Sequence, residues 1–73
     1  MFGNVKQIVH VDGMHCIHCA MSVEKALGAL EGVKSAKVNL DKKIAVVKAN
    51  PAISEEAAKK AIEEAGFKFA GLE

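Results

Sequence analysis

The spacing of apolar residues changes period four times along this chain, and that pattern constrains the fold more than any single motif. From Val5 to Asp12 the sequence is rich in β-branched residues, with Val9 and Val11 on one side and Ile8 and His10 on the other, the alternation of a strand. Gly13 breaks it. From Cys16 or Ile17 the period lengthens: Ala20, Val23, Leu27 and Leu30 recur at three- and four-residue steps and share one helical face. This helix is expected to end at Gly32. Val33 to Leu40 alternates again, with Ala36, Val38 and Leu40 facing one way and Lys37 and Asn39 the other. Asp41-Lys42-Lys43 reads as a hairpin turn into an antiparallel strand from Ile44 to Ala49.

Asn50-Pro51 stops that strand, and Ser54 is a natural cap for a second helix whose first turn carries Glu55 and Glu56 at the positive end of the dipole. Ala58, Ala61, Ile62 and Ala65 form its inward stripe. Its outer surface is a double ladder, Glu55/Lys59/Glu63 and Glu56/Lys60/Glu64, in which opposite charges four apart support a solvated helix. Gly66 ends it before a closing strand around Lys68 to Leu72. The order is βαββαβ. With short connections this predicts an α+β, ferredoxin-like sandwich, a four-stranded antiparallel sheet with two helices on one face.

At 73 residues the chain has material for one core, so residues 1–73 are read as a single domain and a deep catalytic cleft is not expected. Ten lysines stand against nine acidic residues, with no Arg. That balance gives no electrostatic footprint for nucleic acid, and the strands lack the aromatics that an RNA-recognition sheet uses to stack bases. Phe2, Phe67 and Phe69 lie near the ends instead. The opening Met1-Phe2-Gly3-Asn4-Val5-Lys6 carries no basic segment leading into an apolar core, and no run is long enough to span a bilayer. A cytoplasmic chain without direct membrane insertion is the expectation. Two cysteines three apart cannot staple distant parts of a fold, so they are read as free thiols.

Those thiols sit in the loop Gly13-Met14-His15-Cys16-Ile17-His18-Cys19, where the first helix begins. A helix N-terminus offers unpaired N–H groups and partial positive charge, which favour thiolate over thiol. Soft sulfur donors select soft metals, Cu(I) foremost. A structural zinc site needs four ligands, and no second Cys pair exists. Half a coordination sphere suits a carrier, because a partner's thiolate can arrive before the first one leaves.

This loop, followed by Ala20, Val23-Glu24, Leu27 and Gly32-Val33, and with Ala65-Gly66-Phe67 before the last strand, resembles the heavy-metal-associated domain of copper chaperones and of the N-terminal regions of heavy-metal P-type ATPases. The resemblance covers essentially the whole chain, and Phe67 places it with bacterial members. It implies Cu(I) bound by Cys16 and Cys19 and passed by ligand exchange to a similar domain on an ATPase, with no enzymatic activity. It also implies Met14 as a buried prop beneath the loop. A free-standing chaperone and a domain excised from an ATPase both fit. A metal-bridged homodimer is a further arrangement of the same site.

The chain departs from the commoner family pattern at His15, where Thr or Ser is usual and where zinc and cadmium exporters place an acidic residue. A nitrogen donor there would favour Zn(II), so a Zn(II), Cd(II) or Hg(II) domain of the same family is the alternative reading. A dithiol redox protein is the second, although thioredoxin-like folds need a longer βαβ framework. His15 and His18 are read as exposed residues that modulate thiol protonation, with direct ligation as the alternative. Phe67 is either a core plug or a cover over the ion, and Lys68 a candidate to offset the charge of a bis-thiolate centre. His10 is expected on the sheet surface.

Overall fold

The structure, a computed structural model, describes residues 5–50 and 52–73. The readings that rest on Met1 to Asn4 and on Pro51 lie outside the described residues. The element order is β1 Val5–Asp12, α1 Ile17–Gly28, β2 Val33–Asn39, β3 Ile44–Ala49, α2 Glu55–Glu64 and β4 Lys68–Leu72. All pairings are antiparallel, in the order β2-β3-β1-β4. This is the α+β ferredoxin-like sandwich that the pattern predicts. Among the described residues no helix is long and apolar enough to cross a membrane.

The two central strands supply most of the core. Val9 and Val11 of β1 and Ala45, Val47 and Ala49 of β3 face the helices, which return Val23 and Leu27 from α1 and Ala58, Ala61 and Ile62 from α2. Leu27, Ile62, Val9, Val11, Val23 and Val47 are fully enclosed, each contributing about 1.5–3 kcal/mol of apolar burial. Helix α1 lies mainly against β2 and α2 against β4. The single buried polar residue among those described, Gln7, is satisfied at both ends of its amide. Its Nε2 donates to the Ile53 carbonyl at 3.0 Å and its Oε1 accepts from the Ile53 N–H at 2.8 Å. One side chain in β1 thus holds the segment leading into α2.

Helix α1 ends at Gly28, four residues before the expected stop at Gly32. The apolar period misleads there because Leu30 still packs on the core, but from a turn. The Leu30 N–H bonds the Leu27 carbonyl at 3.1 Å and the Val33 N–H bonds Leu30 at 3.2 Å. Gly32, at φ +90°, then turns the chain into β2, a conformation that suits glycine. Strand β2 stops at Asn39, one residue short of the expected end, although Leu40 still reaches the core. Its outer edge is covered in part by Glu24, whose Oε2 accepts the Val38 N–H at 2.9 Å.

Ser54 caps α2 as expected, accepting the Ala57 N–H at 3.1 Å. The charge ladder on α2 does not close into ion pairs. Among the described residues the only pair within 4.0 Å joins His10 to Glu73, so the ladder acts through longer-range attraction. Glu73 is otherwise held by main-chain bonds in both directions to Ile8, at 2.7 and 3.0 Å.

Gln7→Ala should lower stability by about 2 kcal/mol or more, because it strands the Ile53 N–H and carbonyl and leaves a void. Urea unfolding should show a lower midpoint with an unchanged slope.

Candidate metal centre

The site begins where β1 runs out. Gly13 takes φ +99°, and Met14 after it turns into the core, only 5% exposed. The next four residues, His15, Cys16, Ile17 and His18, are exposed, and Cys19 is half-buried against the core. The chain therefore dives at Met14, surfaces through Cys16, and returns at Cys19 as α1 starts.

Cys16 is the N-cap of α1. It has extended backbone angles, φ −153° and ψ 172°, and its carbonyl accepts the Ala20 N–H at 3.1 Å. Its Sγ lies 3.6 Å from the Sγ of Cys19, the sulfur three residues on at the first turn. No side-chain hydrogen bond closes the cap in the strict geometric sense. The free N–H dipoles of the first turn still act on the sulfur. The Cys16 thiol is held below the ordinary thiol range by the Cys19 N–H, then by the Cys19 thiol, then by the His18 N–H, with a small opposing effect of desolvation. The first turn of α1 carries no acidic residue to compete for that positive end. His18 thus acts on Cys16 through its backbone.

The wall beside the loop comes from the far end of the chain. Helix α2 ends in a Schellman motif: the Gly66 N–H bonds the Glu63 carbonyl at 3.0 Å and the Phe67 N–H bonds Ile62 at 3.0 Å, with Gly66 at φ +92°. This closure turns Phe67 inward. A Cβ added to Gly13 would stand 3.5 Å from Phe67 Cδ1, so the ring packs against the backbone that leads into the loop. Lys68 starts β4, paired in register with Asp12, and is exposed. It is not among the groups that lower the Cys16 pKa.

Cys16 and Cys19 are therefore together, Met14 and Phe67 lie inward of them or beside their loop, and His15, His18 and Lys68 point outward. Among the described residues no group of three or more His, Cys, Asp or Glu side chains converges in a metal-holding arrangement. Two sulfurs are what the loop brings together. Sequence reasoning missed the anchoring roles of Gln7 and Glu24 around this scaffold. Neither carries a local signal, since each acts on a backbone group distant in sequence.

Because Cys16 is more acidic folded than unfolded, its contribution to stability is complete above the unfolded thiol's pKa and is lost as pH falls through the folded value. In a Cys19→Ser variant, which keeps the backbone N–H groups, Cys16 alkylation by iodoacetamide should reach half-maximal rate at lower pH than a cysteine in an unstructured peptide. Coincident profiles would contradict the capping account.

Comparison with known proteins agrees with this geometry. Residues 8–68 match the family model of the heavy-metal-associated domain. The copper chaperone CopZ of Staphylococcus epidermidis is 46% identical over 63 residues, 85% of this chain and 93% of that protein. A solved CopZ metallochaperone superposes with a TM-score of 0.82 at 36% identity, covering 90% of this chain and all of that one. A copper binding domain from HMA7, a P-type ATPase, superposes with a TM-score of 0.78 at 39% identity, covering 93% and 96%. These relatives are a chaperone and a binding domain, and the expectation of a non-enzymatic chain accords with them. By sequence and by fold, the chain belongs to the heavy-metal-associated domain family.

Proposed function

We propose that this chain is a copper metallochaperone that binds one Cu(I) between Cys16 and Cys19 and releases it to the metal-binding domain of a heavy-metal P-type ATPase in the cytoplasm. The observation that carries the reading is the pair of touching thiols at the start of α1, with no third donor among the described residues converging on them. A soft d¹⁰ ion accepts two sulfurs, whereas Zn(II) wants four ligands. The names of the similar chaperone and ATPase domain support copper as the cargo and such an ATPase as the recipient.

The two sulfurs stand 3.6 Å apart, close enough for one ion to be held by both. Exposed Cys16 is the accessible end of the site and the first to be exchanged. A partner thiolate adds to the ion, making it three-coordinate, before Cys16 leaves. Two copies of this chain sharing an ion would use the same exchange.

Anaerobic native mass spectrometry of the reduced protein, offered Cu(I) and Zn(II) together, should find one copper per chain. Cys16→Ser and Cys19→Ser should each abolish it, and His15→Thr should leave it unchanged. Zinc outcompeting copper, or copper retained in either serine variant, would overturn the proposal. Turnover in an insulin-reduction assay would favour a redox dithiol instead.

A further inference from the structure

The sheet face turned away from the helices plays no part in the metal site, and its charge is unevenly placed. The residues of β1 that alternate with the buried ones are Lys6, Ile8, His10 and Asp12, and those of β3 are Ile44, Val46 and Lys48. In register, Lys6 stands directly opposite Lys48, and Lys37 of β2 faces Val46 on the other side of β3. All three lysines are exposed. Like charges directly opposed across strands weaken a sheet. The acidic groups on the face are Glu73, paired through its main chain with Ile8 and joined by its carboxylate to His10, and Asp12 at the loop end of β1, so Lys37 and Lys48 have no acidic cross-strand partner in register.

The molecule as a whole is polarised. Glu24, Glu31, Glu55, Glu56, Glu63 and Glu64 belong to the helices or to the turn after α1. Only Lys25, Lys59 and Lys60 of the ten lysines accompany them. The remaining lysines lie on the strands and their turns, although net charge is only +1.

We propose that the Lys6/Lys37/Lys48 end of the open sheet face rests on an anionic membrane surface, held by charge and without insertion. The chain has no Arg, Trp or Tyr, the residues that most often anchor protein–protein contacts. Ile8 and Val46 are half-covered between the lysines. Point charges on flexible stems suit a diffuse negative surface better than a shaped acidic site. Each lysine near such a surface strengthens partitioning about fivefold, so three give about a hundredfold at low salt. Lys6 and Asp12 are separated by six strand residues, about 20 Å. Docking at one end therefore leaves the thiol loop free at the other. The proposal does not depend on the copper reading.

The test is co-sedimentation of the reduced, metal-free protein with vesicles of phosphatidylcholine alone, or of phosphatidylcholine and phosphatidylglycerol in equal parts. Two variants of equal net charge are compared: Lys6→Gln/Lys37→Gln/Lys48→Gln on the sheet and Lys25→Gln/Lys59→Gln/Lys60→Gln on the helices. Wild type should bind only the phosphatidylglycerol vesicles, and high salt should release it. The sheet variant should lose about a hundredfold of that binding, and the helix variant should retain most of it. Lys6→Gln alone should raise the thermal midpoint while weakening binding, the opposite of what a merely structural lysine would do. Equal loss in both triple variants, salt-insensitive binding, no wild-type binding to anionic vesicles, or retention only on an immobilised acidic protein would overturn it.

Discussion

The first turn of an α-helix leaves backbone N–H groups without partners, and in this chain the residue set to meet them is a cysteine. Cys16 occupies the N-cap of α1, where Ser, Thr, Asp or Asn would ordinarily supply an oxygen. A thiol is a poor cap and a thiolate a better one. The same N–H groups that ask for a cap therefore favour the ionised sulfur, with the Cys19 N–H acting most strongly. Thiolate character is in this sense a property of the helix start. The absence of acidic residues in that turn keeps the field undivided.

Such a helix start is useful only if its position is fixed while its tip stays accessible. Met14 plugs the loop into the core on one side, and Cys19 packs on the core at the other. Between them Cys16 remains exposed. Phe67 reaches the loop because Gly66 allows the Schellman turn that ends α2, so a glycine remote in sequence helps to set the wall of the site. Farther back, the Gln7 amide ties β1 to the entrance of the same helix. The two ends of β1 thus connect the loop to α2 by separate routes.

The fold was legible in the sequence wherever burial follows a simple period. Strand β1 read correctly because one side packs under helices and the other does not, and β3 has the bounds that its apolar run and the flanking turn residues predict. The end of α1 was not legible, since Leu30 contacts the core from a turn and continues the helical period past the helix. The ladder on α2 was legible as a solvated surface, but its side chains do not close into pairs. The Cys-x-x-Cys loop and its place at a helix start were readable because spacing and breaker residues are local. The Gln7–Ile53, Glu24–Val38 and His10–Glu73 contacts span 46, 14 and 63 residues, and no local pattern carries such pairings. His15 and His18, as donors beside the thiols, were open in the sequence; the geometry leaves both imidazoles outside any converging group.

The account rests on a donor set of two sulfurs, and X-ray absorption spectroscopy of the Cu(I)-loaded protein addresses that set directly. It predicts a nearest shell fitted by two sulfur scatterers, unchanged when His15→Thr and His18→Ala are made together. A nitrogen scatterer in the first shell that disappears in this double variant, or a four-coordinate shell, would contradict the two-thiolate site.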